Sequence, residues 1–227
     1  MKKYGIDYEW KNNTIKIEHQ KYIPVNITVE ADWSAASYWY LMAAFSDKVD
    51  VVLKGLNKNS LQGDSIVEKY FRSFNINTEY IKDGIHITKN NNVIPERLDF
   101  NLTNTPDIAQ TLVVTLSLLN IPFTISGIKN LKIKETDRIK ALQNELLKFN
   151  ISITETEPGK IEFKKTEFLN SQNISISTYN DHRMALSFAP AALLLKEIII
   201  EKPDVVDKSY PCFLEDLKKV GFEILQV

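Results

Sequence analysis

The 227-residue chain holds one cysteine, Cys212, seven glycines, three histidines and, among 28 basic residues, only four arginines. A single cysteine excludes a disulfide framework and a multi-cysteine metal site, and suits a reducing compartment. The glycines never fall into GxGxxG or a phosphate-loop pattern, which argues against a dinucleotide or Walker-type site. His19, His86 and His182 are dispersed, and the first two lie in strand-like runs, so a metal centre is not expected. Cys212 sits in the apolar turn SYPCF and reads as a buried residue rather than a nucleophile. An excess of either charge is also missing. The 28 basic residues face 29 acidic ones, so broad electrostatic binding of nucleic acid is not expected. The longest uncharged, mostly apolar run, Met184 to Leu195, is too short to span a bilayer, and MKKYGIDYEW has no apolar run behind its lysines to make a signal peptide. The hydrophobic and charged fractions, 44% and 25%, are ordinary for a chain that buries a core. A soluble cytoplasmic protein of one large or two small domains is expected, with neither nucleic acid nor membrane as partner.

What the sequence does contain is a repeat. KKYGI (Lys2–Ile6), RSFNI (Arg72–Ile76), LKFNI (Leu147–Ile151) and KKVGF (Lys218–Phe222) each end a helix-like stretch on Gly or Asn followed by an apolar residue. That is the pattern of a helix stopped by a left-handed residue before a strand. The stops Gly5, Asn75, Asn150 and Gly221 are 70, 75 and 71 residues apart, which indicates three copies of one supersecondary unit. The first unit reads as a strand (Asn26–Glu30), an apolar helix opened by Asp32, a strand (Val49–Leu53) ended by Gly55, and an amphipathic helix (LQGDSIVEKYFRSF). Two strands, INTEYI and IHIT, close it through a hairpin at Asp83-Gly84. The second unit repeats this as FNL, PDIAQTLVVTLSLL, FTISGI, KETDRIKALQNELLKF, ISITETE and IEFKK, with Pro158-Gly159 in the hairpin. The third gives ISIST, DHRMALSFAPAALLL, EIIIE, SYPCFLEDLKKV and FEILQV.

Each unit is β-α-β-α-β-β, with an inner helix apolar nearly all round and an outer helix with a polar face. The expected fold is an α/β lobe with approximate threefold internal symmetry and buried inner helices. Units at about 29–90, 91–168 and 169–227 follow an orphan helix end and hairpin over 1–28. The strand-helix head of the opening hairpin and the second strand of the last unit's hairpin are unaccounted for. The chain is therefore expected to be a piece of a longer protein, although a family with unusual ends gives the same pattern.

Superposed units put Asp32, Asp107 and Asp181 at the start of the three inner helices. A helix cap explains each of them, at about 1 kcal/mol. Asp107, preceded by Pro106 and entering a strongly apolar segment, also suits a proton carrier at a helix mouth. Helix N-termini brought together by symmetry make an anion site, and the charges concentrate there. Lys134-Glu135-Thr136-Asp137-Arg138 opens the outer helix of unit two, Asp181-His182-Arg183 opens the inner helix of unit three, and Lys208 opens the last helix. Lysines at a helix start oppose the macrodipole, and arginine suits bidentate capture of carboxylate or phosphate. Solvated helix starts remain the simpler account of any one cluster. Ser34 and Ser37 read as helix-start polar residues rather than nucleophiles.

NLKIKETDR (Asn130–Arg138), TYNDHRMA (Thr178–Ala185), Pro106-Asp107, DKSYPCF (Asp207–Phe213), NSLQGD (Asn59–Asp64) and EADWSAASYW (Glu30–Trp39) resemble, in order, the C-terminal half of the EPSP synthase family. The resemblance implies one lobe of the enolpyruvyl transferase fold, an inside-out α/β barrel. It implies transfer of the enolpyruvyl group of phosphoenolpyruvate to the 5-hydroxyl of shikimate 3-phosphate, with release of phosphate. It makes Asp107 the proton acceptor at the attacking hydroxyl and Glu135 the carboxylate that moves a proton at the methylene carbon. His182 is then a motif histidine near that site. Asp107, Asn130 and Lys134 would contact shikimate 3-phosphate, and Arg138, Arg183 and Lys208 would clamp phosphoenolpyruvate. No metal or organic cofactor is implied. The partner is the missing N-terminal lobe, without which the chain is expected to be inactive, and a complete member is expected to be a monomer. A lobe like that of UDP-N-acetylglucosamine enolpyruvyl transferase, or a non-catalytic anion-binding module, are the alternatives.

Overall fold

A computed structural model describes residues 1–91, 93–166 and 174–226. The expected boundary between the second and third units, and Val227, lie outside the described residues. The backbone divides into two compact units, Met1–Glu30 and Ala31–Val227. In the first, a 3-10 turn over Lys2–Tyr4 stops at Gly5, φ +68°. Strands β1 (Glu9–Lys11) and β2 (Thr14–Lys16) then pair antiparallel with Trp10 opposite Ile15. The Gln20 side chain ties the hairpin's base, donating to Asp7 O and accepting from Asp7 N, both at 2.8 Å. The strand expected over Asn26–Glu30 is not formed among the described residues.

The second unit contains the repeats. The first has α1 (Trp33–Phe45), β3 (Asp50–Lys54), α2 (Val67–Phe71), β4 (Ile76–Ile81) and β5 (Gly84–Lys89). The second has β6 (Leu98–Asn101), α3 (Ala109–Leu118), β7 (Phe123–Ser126), α4 (Arg138–Leu147), β8 (Ile153–Glu157) and β9 (Lys160–Phe163). The third has β10 (Ser175–Ile176), α5 (His182–Phe188), α6 (Ala192–Leu195), β11 (Ile199–Ile200) and α7 (Phe213–Lys219). Sheet orders are β3-β5-β4, β6-β7-β9-β8 and β10-β11. The middle sheet shows the whole pattern: β6 runs parallel to β7, and the β8–β9 hairpin adds antiparallel. The first repeat keeps the hairpin half, and the third keeps the parallel half.

All four stop residues adopt positive φ: Gly5 +68°, Asn75 +65°, Asn150 +61° and Gly221 +98°. Glycine and asparagine tolerate this conformation best, which is why they mark the repeat in the sequence. The inner helices form the core. All ten residues of α3, all seven of α5 and ten of thirteen in α1 are buried. The three pack on one another, and Ser37 of α1 meets Thr111 of α3 through a buried hydroxyl pair at 3.0 Å.

The outer helices depart from expectation. Residues 61–74 form helix only over α2, between 3-10 turns at Gly63–Ile66 and Arg72–Phe74. Gly63, Ser65 and the β-branched and aromatic residues that follow are weak helix formers. Helix α4 starts at Arg138 rather than Lys134, because Asp137 caps it by accepting from Lys140 N at 3.0 Å. Pro211 lacks a backbone donor and disfavours a helical conformation at the residue before it, and α7 starts at Phe213. Lys208 instead ends a 3-10 turn over Pro203–Lys208. Lys134 and Lys208 are therefore not helix-start residues, and the macrodipole penalty does not apply to them. Pro190 likewise divides the third inner helix into α5 and α6. Cys212 is exposed rather than buried; the turn points Phe213 inward instead. Residues 222–226 form no strand. Among the described residues no helix is long and apolar enough to cross a membrane.

Candidate functional site

Two supports bring the charge clusters together. The β8–β9 hairpin props the segment that carries Lys134 and Glu135. Gly159, φ +77°, accepts Ile128 N at 3.1 Å, and a Cβ there would fall 2.3 Å from Lys129 N. Glu155 ties the same hairpin down by accepting from Gly159 N at 2.8 Å and from Lys132 at 2.6 Å. The second support places Asp181. Buried Glu145 on α4 accepts from Tyr179 Oη at 2.8 Å and Ser177 N at 3.0 Å. Tyr179 and Asn180 then turn the chain with φ of +54° and +57°. A left-handed tyrosine costs about 1–2 kcal/mol, so the anchoring to Glu145 must offset it.

Asp32 and Asp181 are helix caps: Asp32 accepts from Ser34 N and Asp181 from Arg183 N, both at 2.8 Å. Asp107 is not a cap. It lies inside a 3-10 turn over Pro106–Ile108 whose own cap position is Thr105. Its carboxylate faces cations instead: Arg183 Nη2 at 3.3 Å, Lys134 Nζ at 3.4 Å and Arg138 Nη1 at 3.6 Å. Arg183 Nη1 also donates to the Asp107 carbonyl at 2.9 Å.

Arg138 is the centre of the cluster and is 1% exposed. It grips Asp181 through Nε at 2.6 Å and Nη2 at 3.3 Å, and Nη2 also reaches Glu135 at 2.7 Å. Its Nη1 is buried without a hydrogen bond. Glu135 takes a second cation, Lys208, at 3.0 Å. Burial alone would raise the Glu135 carboxyl, but the Lys208 hydrogen bond and the Arg138 charge outweigh it and hold it down to about 2. His182 lies with Nδ1 4.0 Å from Asp181, and burial and then the Arg183 charge lower its titration.

The structure thus brings Asp107, Lys134, Glu135, Arg138, His182, Arg183 and Lys208 into one cluster. Asn130 is exposed in the 3-10 turn Lys129–Ile133 and makes no side-chain hydrogen bond to the cluster among the described residues. Three participants escaped the sequence reading as site residues. Asp181 looked like a cap, and nothing local shows that it also receives Arg138 from 43 residues away. Asp64 accepts a hydrogen bond from Ser34, and burial raises its carboxyl although Arg183 lies near. Tyr38 lies beside Arg183 and is pushed up to about 12 by burial. NSLQGD and EADWSAASYW were the signals for Asp64 and Tyr38, but spacing gave them no role.

Chemically, the cleft can hold an anion on four cations while offering two carboxylates in different environments. Asp107 faces Lys134, Arg138 and Arg183, and Glu135 faces Arg138 and Lys208.

Comparison with known proteins identifies the family. Residues 1–217 match the family model described as EPSP synthase (3-phosphoshikimate 1-carboxyvinyltransferase). The 3-phosphoshikimate 1-carboxyvinyltransferase of Bacteroides fragilis (strain ATCC 25285) is 44% identical over 225 residues, which cover 99% of this chain and 55% of that protein. The enzyme of the same name from Pasteurella multocida (strain Pm70) is 32% identical, over 95% of this chain and 48% of that protein. The solved structure of EPSP synthase from Acinetobacter baumannii superposes with a TM-score of 0.72 at 25% identity, covering 99% of this chain and 54% of that one. The enolpyruvyl transferase NikO from Streptomyces tendae shares the fold, with a TM-score of 0.63 at 13% identity over 98% of this chain and 51% of that one. The chain spans about half the length of the curated relatives it matches.

Proposed function

The chain belongs to the EPSP synthase family, and on that premise we propose that it supplies one half of a cleft that moves the enolpyruvyl group of phosphoenolpyruvate to shikimate 3-phosphate. Residues 29–227 form the C-terminal lobe, and residues 1–28 belong with the companion lobe. The observation that carries this reading is the placement of Asp107 and Glu135 around one shared guanidinium, Arg138. Addition of a hydroxyl across a carbon–carbon double bond needs one group to accept the hydroxyl proton and another to deliver a proton to carbon. Asp107 accepts the 5-hydroxyl proton as the oxygen attacks. Glu135, once it has taken up a proton, delivers it to the methylene carbon, and accepts one from the same carbon when phosphate leaves and the double bond re-forms. Lys134 and Asn130 hold shikimate 3-phosphate. Arg138, Arg183 and Lys208 hold phosphoenolpyruvate and stabilise the charge that develops during addition. His182, near Glu135 and Asp181, is kept neutral by burial and trims the field around the acid.

Thermal protection tests the acceptor. Shikimate 3-phosphate is expected to raise the melting temperature of the chain, and Lys134→Ala to remove that rise. Protection by UDP-N-acetylglucosamine, with none by shikimate 3-phosphate, overturns the reading.

A further inference from the structure

The cations of the cleft are held by the chain's own carboxylates. Glu135 takes two of them, Lys208 on Oε1 at 3.0 Å and Arg138 on Oε2 at 2.7 Å. Neither contact is locked. Glu135 sits between the 3-10 turn Lys129–Ile133 and the Asp137 cap, outside any helix. The Lys208 side chain is 60% exposed on a flexible stem. Arg138 differs in being fixed by Asp181, and its Nη1 remains a buried donor without a hydrogen bond. A dianion with phosphate-like oxygens competes well for such donors, since charge-assisted bonds to it are at least as strong as those to one carboxylate.

We infer that an anion seated on Lys208 and Arg138 displaces Glu135 and that Glu135 takes up one proton from solvent as it loses them. The inference rests on the assignment of those cations to anion binding made above. The step is a simple protonation: the carboxylate gains a proton and no other bond changes. The physical basis is that burial alone opposes ionisation of Glu135, while Lys208 and Arg138 oppose burial. With the cations turned to the ligand, burial and the new negative charge act together. The other titratable group acting on Glu135 is His182 on α5, while its chain neighbour Lys134 faces Asp107. His182, whose titration burial and the Arg183 charge lower, is the competing acceptor of a proton. A cleft built this way forms its acid only when the anion is in place.

Calorimetric titration of the full chain with sulfate tests this, since sulfate stays doubly charged throughout the working range. Proton uptake is read from the difference between two buffers of unlike ionisation enthalpy. Uptake of about half a proton per sulfate is expected near pH 5, falling towards zero near pH 8. Glu135→Gln is expected to bind sulfate as well or better with the uptake gone, and His182→Gln to keep it. Sulfate binding without uptake, uptake that survives Glu135→Gln, or no sulfate binding overturns the inference. Protection by shikimate 3-phosphate is read independently, so the coupling can fail while the acceptor assignment stands.

Discussion

Arg138–Asp181 and Lys208–Glu135 are ion pairs of like composition in opposite surroundings. The first, at 2.6 Å, has side chains 2% and 0% exposed; the second, at 3.0 Å, has side chains 60% and 26% exposed. Withdrawing two charges from water costs several kcal/mol each, so the inner pair persists because its geometry is close to ideal. Asp181 also spends its second oxygen capping α5. The outer pair carries a smaller penalty, because Lys208 stays largely in water, and contributes less. Proximity of charges therefore marks two jobs in this cleft: the inner pair builds the frame, and the outer pair is free to exchange partners.

Four results bear on that contrast, the largest first. Asp181→Asn strips the buried guanidinium of its counter-charge and is expected to cost about 3–5 kcal/mol of stability by denaturant unfolding. A loss below about 1 kcal/mol would erase the distinction between inner and outer pairs. Lys208→Ala is expected to weaken sulfate binding about tenfold, or ~1.4 kcal/mol, in the same calorimetric titration, with unfolding changed by less than ~1 kcal/mol. Glu135→Gln should lower neutral-pH stability by about 1 kcal/mol and flatten its acid dependence. The native carboxyl titrates near 2 against an ordinary 4.5. Its contribution is thus complete above about pH 4.5 and is lost as pH falls towards 2; acid unfolding curves of the variant and the parent should diverge in that window. Smallest is the His182 effect. Burial depresses its titration, so its NMR midpoint should lie below 6.5, and a midpoint above it would place the ring in a more anionic setting than the structure shows.

The same contrast between local and distant causes explains what the sequence made legible. The repeat was visible because Gly5, Asn75, Asn150 and Gly221 each answer a local demand for positive φ. The inner helices were visible because burial on every side leaves an apolar run. The hairpins at Asp83-Gly84 and Pro158-Gly159 were equally local. Strand formation was less so, because a strand needs a partner. Asn26–Glu30 has β-like residues but forms no strand among the described residues, and EIIIE pairs at Ile199 and Ile200 with the two-residue β10. In the cleft, the charged residues announced themselves through KETDR and NDHRM. Their roles did not, because Arg138 reaching Asp181, or Lys208 reaching Glu135 from 73 residues away, is set by packing. Asp107 was separable from Asp32 and Asp181 only once its side chain was seen to face cations rather than a helix end.

The most direct measurement combines this chain with the remaining part of the Bacteroides fragilis relative, the portion outside the match, and follows phosphate release from phosphoenolpyruvate and shikimate 3-phosphate. The account predicts no release by the chain alone, release on mixing, and a loss of at least about a hundredfold when the chain carries Asp107→Asn. Robust turnover by the chain alone, or mixing that restores turnover regardless of Asp107, would contradict it.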